Sequence, residues 1–482
     1  MKKIEIVLFI FIFLGAFFVR MYRFNNPIAD WHSWRQADTS AVSRNFVKNG
    51  YDILHPRYDD ISNIQTGVDN PQGYRYVEFP LYNVFQAGFF QLFGVLTLEQ
   101  WGRLVTIFSA LASILFLYLL VCKYANKTVG LFTAFFYAFL PYDIYYGRTI
   151  LPDPSMVAAT LGAIYFFDKW ITIWSSKKKP FKTKILFAFL AWLFSACALL
   201  LKPYAAFFFL PMLYSIYQAF GLVFWKKWQL YIFAVAAILP IAFWRIWMLQ
   251  YPQGIPASAW LLNGNGIRFR PSFFRWIVYE RLTKLISGYV GVILMGFGVY
   301  MSVRLKHWLF FVSFALSSLL YVCVIATGNV QHDYYQILIM PSVAIFYGLG
   351  AAYLLSRVRS KLLGRITLVV LTGIAFYFSW NQVKDYFNIN NWAIVRTGQV
   401  VDRLTPKDAL MIAPYDGDTS FLYQTKRKGW PAFEHSTEDL MKLGADYLVI
   451  VNPKPQDFDL DKKFKLVSKT NEYILVNLHE KP

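Results

Sequence analysis

Apolar runs of about 18 to 24 residues recur along the chain, each long enough to cross a hydrocarbon core of roughly 30 Å as a helix. They lie near residues 5–24, 102–122, 129–146, 155–174, 184–200, 203–222, 229–249, 285–303, 308–327, 335–355 and 364–381, which makes eleven spans. The pattern predicts a multi-pass α-helical membrane protein with about 11 transmembrane helices. One further apolar piece, FPLYNVFQAGFFQLFG, lies inside the long polar stretch 25–101. We read it as a helix lying in the membrane interface, because counting it as a span would invert every loop that follows.

Beyond the last span the pattern changes. DALMIAP, DYLVIVN and EYILVNL read as strands, since β-branched and apolar residues are bounded there by Pro, Asn or charges. STEDLMKLG reads as a helix, with Ser436 and Asp439 placed like a capping box and Gly444 as its stop. The expected organisation is a membrane domain over 1–381, including the loop 25–101, and a small extracytoplasmic α/β domain over 382–482. No internal repeat and no Gly-rich phosphate loop is visible.

Composition supports the membrane reading, because 57% of the 482 residues are hydrophobic and only 16% are charged. Charge then sets the orientation. A net charge of +20 suggests nucleic acid at first sight, but the basic residues are spread over short loops rather than gathered in one patch. The loops holding Lys123 and Lys127, SSKKKPFKTK, WKKW, VRLKH and SRVRSKLLGR are every second loop, and Lys2 and Lys3 precede the first span. By the positive-inside rule these loops are cytoplasmic. An amino terminus inside and an odd number of spans put the carboxyl terminus outside. The first span is long and lacks a small-residue cleavage site, so it reads as retained rather than as a signal peptide. Cys122, Cys197 and Cys323 have no metal-type spacing and imply no disulfide framework.

Parity gathers nearly all the acidic residues outside, together with several cations. In the first loop, Trp31, Trp34, Arg35 and Asp38 share one face if WHSWRQADTSAVSRNF is helical. Asp30 sits just ahead of that helix and Glu78 just ahead of the interfacial one, so each also reads as a helix cap. Arg148 and Asp153 come from YYGRTILPDPSM, Lys202 from a hairpin too short to carry it far into water, and Arg245 from the outer end of a span. His332, Asp333, Tyr334 and Tyr335 stand at the outer start of another. Each has a bland alternative, capping for the acids and snorkelling to the interface for the cations. Ionisable residues at such depth nevertheless point to a site by default. Their shared side of the bilayer suits transfer chemistry on an anionic lipid, in which a carboxylate takes a proton from a hydroxyl and Arg and Lys neutralise a leaving phosphate.

The order of these motifs, from the acidic first loop through EFPLYNVFQAGFFQLFG and GRTILPDPSM to the Lys hairpin and the His/Tyr segment, resembles the GT-C glycosyltransferases that use polyprenyl-phosphate sugars. That superfamily contains protein O-mannosyltransferases and the aminoarabinose transferase of lipid A. WRQADT is similar to a bacterial branch of dolichyl-phosphate-mannose-protein mannosyltransferase-like, or Rgt-type, enzymes. The resemblance covers about residues 5–380. It implies catalytic roles for Asp30, Glu78 and Asp153, with Asp38 as a rival to Asp30. Many members carry an adjacent Asp-Glu pair in the first loop, whereas here WHSWRQA separates the two aspartates. It also implies a donor phosphate held by Arg35, Arg148, Lys202, Arg245 or His332.

The expected reaction is transfer of a sugar from a polyprenyl-phosphate carrier to an acceptor hydroxyl on a lipid, glycan or protein, with inversion. The expected setting is a bacterial inner membrane, with membrane lipids as neighbours and no nucleic acid partner. No cofactor or metal is required, although three carboxylates could hold a divalent cation. Alternatives are an oligosaccharide ligase or polymerase using pyrophosphate-linked donors, a flippase or transporter for lipid-linked saccharides, and a receptor role for the tail domain. A transporter would place its ionisable residues near the midplane and often carry inverted repeats.

Overall fold

A computed structural model describes residues 3–175 and 180–482. Lys2 and the Lys177–Lys179 run, used above to orient the chain, lie outside the described residues. The first ten helices are α1 Lys3–Arg20, α2 Ser33–Asn49, α3 Leu81–Phe93, α4 Leu98–Tyr124, α5 Lys127–Phe139, α6 Pro141–Tyr146, α7 Asp153–Trp174, α8 Phe181–Leu201, α9 Leu210–Phe220 and α10 Trp228–Met248. Among the described residues, seven helices are long and apolar enough to cross a membrane, or up to eight if the bent pair Pro271–Ile286 and Gly291–Ser302 forms one span. The remaining predicted spans coincide with α1 and with the shorter apolar helices α5 and Trp308–Val324.

The chain divides into two compact units. The first comprises residues 1–22, 104–244 and 258–385 and is a helical bundle. Within the apolar spans burial differs sharply: 94% for the window in Asp333–Ser356 against 11% for that in Trp228–Met248. The former is the central pillar and the latter faces outward, although both are apolar on every side. Small residues let the pillar's neighbours reach its backbone. A Cβ on Gly350 would lie 1.9 Å from the carbonyl oxygen of Leu294, and one on Gly348 would lie 2.2 Å from Thr133 Oγ1.

The second unit comprises residues 23–103, 245–257 and 386–482. Its sheet contains β1 Leu410–Ile412, β2 Lys428–Trp430, β3 Tyr447–Val451, β4 Lys465–Lys469 and β5 Tyr473–Asn477, in the order β2-β1-β3-β5-β4. The β1 pairs are parallel, and β5 is antiparallel to both its neighbours. Alternation along β3 and β5 buries both faces. Val449 and Leu475 pack with Ile394, Val401 and Phe421 on one side, and Leu448 and Ile474 pack with Trp430 and Leu440 on the other.

The first loop belongs to this unit as well. The carbonyl of Gly429 accepts from the amide of Ile61, and its amide donates to the carbonyl of Asp59, so the loop extends the sheet beyond β2. Helix α3 has 13 residues, a rise of about 20 Å, which is too short to span a bilayer. It is held on α2 by Asn83, whose amide donates to the carbonyl of Thr39 at 2.6 Å, and by Gln86 and Ser43, linked at 2.8 Å.

Candidate active site

In the second unit the site is assembled around α2. That helix begins at Ser33, with His32 at its N-cap in a left-handed conformation. Trp31 therefore lies ahead of the helix, stacked on Tyr386 at 4.9 Å, and does not share a helical face with Arg35 and Asp38. Asp30 is likewise outside the cap position. Its carboxylate accepts the side-chain amide of Gln36 at 2.7 Å, and its carbonyl accepts the amide of Ser33. Asp30 is completely buried.

Asp38 is held differently. Oδ2 meets Arg75 at 2.7 Å and Oδ1 accepts the Thr419 hydroxyl at 2.7 Å, so both of its oxygens are engaged. Glu78 lies two residues before Pro80, the N-cap of α3, and pairs with Arg35 at 2.6 Å. Arg35, Asp38, Arg75 and Glu78 line one small pocket with Asn83 and Thr39. Arg245, half-buried, donates to the carbonyl of Val77 at 3.4 Å.

The helical unit gathers the other candidates. Asp153 opens α7 between Pro152, its N-cap, and Pro154, and accepts Lys202 Nζ at 2.6 Å. The side chains of Lys202 and Asp153 are 9% and 1% exposed, which makes this a buried ion pair rather than a pair of snorkelling groups. Lys202 Nζ also stands 5.7 Å from the ring of Tyr334 and 5.5 Å from that of Tyr335. Those rings are placed by Asp333, whose carboxylate accepts the Tyr146 hydroxyl and whose carbonyl accepts the Tyr142 hydroxyl, both at 2.6 Å. His332 stacks on Tyr334 at 5.5 Å. Arg148 is fully buried, 5.5 Å from the ring of Tyr145.

Directly along α7 from Asp153 runs an apolar slot lined by Met156, Val157, Thr160 and Leu161, with Phe208 and Leu338 opposite. Phe208 belongs to the 3₁₀ turn that follows Lys202, and Leu338 to the one that follows His332. A cation and two rings thus head an apolar channel. Oδ2 of Asp153 is buried with no hydrogen-bond partner among the described residues, an arrangement that costs about 1–3 kcal/mol unless a ligand supplies the donor.

Sequence reasoning missed Arg75, Gln36, Thr419, Tyr142 and Tyr146. Arg75 carried a usable signal, because YRYVEF places a second charge three residues from Glu78. Thr419 carried none, being 381 positions from the aspartate it binds. Among the described residues the three-residue group whose ligand atoms lie within 4.8 Å of one another is Asp69, Glu434 and His435. Asp30, Asp38 and Glu78 do not form such a group.

A family profile described as dolichyl-phosphate-mannose-protein mannosyltransferase matches residues 71–247. No curated protein matches in sequence. Among solved structures, ArnT from Cupriavidus metallidurans superposes with a TM-score of 0.62 at 13% identity, both in the apo state, over 99% of each chain, and bound to undecaprenyl phosphate, over 100% of each. The Archaeoglobus fulgidus oligosaccharyltransferase complexed with Zn and sulfate superposes with a TM-score of 0.62 at 12% identity, over 94% of this chain and 68% of that one. The chain has the fold of the GT-C glycosyltransferases, an integral membrane fold.

Proposed function

We propose that the protein is a bacterial inner-membrane glycosyltransferase that moves one sugar from a polyprenyl-phosphate carrier to an acceptor hydroxyl outside the cytoplasm. The observation that carries this reading is the buried Lys202–Asp153 pair at the head of an apolar slot. An ammonium has three donors, so Lys202 can keep Asp153 and still bind phosphate. The apolar slot suits an isoprenoid chain. It is narrow, about 10 Å³, so the chain enters only as lining side chains such as Phe208 or Leu338 swing aside. Arg148 and His332 are the further candidates for the phosphate in this unit, and Arg35 and Arg245 those in the other. Similarity to a fold solved with undecaprenyl phosphate supports the carrier class.

In this reading Asp30 is the general base, the role the resemblance gives it, and Asp38, held by Arg75 and Thr419, is a structural group. As the acceptor oxygen attacks the anomeric carbon from the side opposite the phosphate, the glycosidic C–O bond breaks and configuration inverts. The acceptor proton passes to the carboxylate and the electron pair to the phosphate, where cationic side chains offset the growing charge. Asp153 Oδ2 accepts a sugar hydroxyl, and the chemistry requires no metal.

Purified protein with radiolabelled polyprenyl-phosphate sugars and extracted envelope as acceptor tests the proposal. Release of polyprenyl phosphate with labelled acceptor is expected, at unchanged rate in EDTA. Lys202→Gln should weaken donor binding and slow transfer together. Turnover seen only with pyrophosphate-linked donors would favour the ligase reading, and lipid movement without bond cleavage the flippase.

A further inference from the structure

At the far end of the helical bundle a second polar recess is unrelated to the chemistry above. Helices Gly291–Ser302 and Met340–Ser356 touch backbone to backbone where Gly298 faces Phe346 and Gly350 faces Leu294; a Cβ on Gly298 would lie 1.8 Å from the Phe346 carbonyl oxygen. Beyond Gly350 aromatic rings replace glycines. Phe297 stacks on Tyr353 at 5.4 Å, and Tyr300 meets Tyr353 edge-on at 5.5 Å. The helices consequently separate and leave a cavity of about 270 Å³ lined by Tyr300, Met301, Arg304, Leu305, Tyr353 and Arg357. It lies roughly 25 Å, the length of a 17-residue helix, from the segment that carries Tyr334 and Tyr335.

Among the described residues its charge is uncompensated. The guanidinium of Arg304 is held 3.5 Å over the Tyr300 ring and donates to the Tyr300 carbonyl at 2.8 Å. Among the described residues no carboxylate lines the cavity, and the flanking segments VRLKHW and SRVRSKLLGR contain no Asp or Glu. Arginines that merely obey the positive-inside rule need no shared cavity between helices. Two forks opening on one recess, with apolar walls and exposed Val299, Val303 and Leu362 alongside, have the chemistry of a phosphate site at a lipid surface.

We propose that this recess binds the phosphate of an anionic glycerophospholipid. Its volume lies just below the roughly 300–1,000 Å³ of small-molecule pockets, so it suits a phosphodiester headgroup with its glycerol rather than a nucleotide. Arg304 and Arg357 take the phosphate oxygens, the Tyr300 and Tyr353 hydroxyls add hydrogen bonds, and Met301 and Leu305 flank the start of the acyl chains. On the topology proposed above, the lipid comes from the cytoplasmic leaflet.

The test is native mass spectrometry of the full chain released from nanodiscs of phosphatidylethanolamine with phosphatidylglycerol. We expect phosphatidylglycerol to be retained over phosphatidylethanolamine, and the Arg304→Gln, Arg357→Gln double variant to lower its retention about tenfold. Leu305→Trp fills the recess while keeping both charges and should lower retention as well, which keeps the test decisive if the double variant fails to fold. Arg359→Gln, outside the lining, should change nothing. Retention unchanged in Leu305→Trp, an equal loss in Arg359→Gln, or displacement of the lipid by millimolar inorganic phosphate would each overturn the assignment to a lipid headgroup.

Discussion

At the scale of single residues, the two aspartates of the first loop separate by what surrounds them. Asp30 accepts the side-chain amide of Gln36 directly ahead of α2, and Asp38 is held through one oxygen by Arg75 and through the other by Thr419. Asp30→Asn should therefore lower turnover by about 10²–10⁴-fold, the usual contribution of a general base, with donor binding and melting temperature little changed. Asp38→Asn should do the reverse, costing about 3–5 kcal/mol of stability because the buried Arg75 keeps its bond to Gln65 but loses its counter-charge, while folded molecules keep most of their rate. Rates normalised to folded protein distinguish the two, and a dead Asp38→Asn beside an active Asp30→Asn reverses the assignment. Asp60 offers a pH test in the same unit. Burial pushes its carboxyl up to about 7, against hydrogen bonds from the Ser62 amide and side chain that favour the ionised form. The unfolded chain loses this proton near pH 4 and the folded chain near 7. Between those values the folded state holds more protons, so stability falls as pH rises through that window. Thermal unfolding should show the native chain losing stability from pH 5 to 8 relative to Asp60→Asn. A constant difference between the two proteins would refute the shift.

Among the elements, the spans show what periodicity carries. The central pillar and the outward-facing α10 have the same mean hydropathy, 1.9, yet opposite burial. Hydrophobicity places both in the membrane, and glycines decide which neighbours can approach the pillar. The small domain shows the converse. DALMIAP, DYLVIVN and EYILVNL appear as β1, β3 and β5, since each is an apolar run with its own turn signals. β2 is the tripeptide KGW, and β4 is a mostly exposed KLVSK with an irregular register against β5. Neither has a pattern of its own. β2 exists because β1 pairs with one edge and the 59–61 loop with the other. Ser436 does cap its helix, accepting the Asp439 amide at 3.1 Å, and Gly444 follows with positive φ, as the capping pattern predicts.

For the whole molecule, the fold matches structures with which it shares only 13% or fewer of its residues, because span lengths and loop polarity constrain a membrane fold more than particular side chains do. Orientation is open to direct measurement. Under the proposed topology, Lys182 lies inside and the carboxyl-terminal segment outside. A cysteine at Lys182 should react with an impermeant maleimide only after the cytoplasmic side is opened, and one at Lys481 should react in intact cells, in a background lacking the three native cysteines. Labelling of both from one side would mean that the span count is in error.

Taken alone, the sequence determined the membrane class, the helical segments, three of the five strands and the acids and cations worth testing. Those features depend on length, period and charge along a continuous stretch, which are local properties. Tertiary structure decided the partners: Asp38 with Thr419, Lys202 with Asp153, Asp333 with Tyr146. It also moved Trp31 and Asp30 off the helix whose face and cap they were expected to form. Such pairings join positions from 49 to 381 residues apart, and no periodicity spans that distance. Burial of a charge selects its partner only once the chain has folded, because the cost of leaving it unpaired does not exist in water.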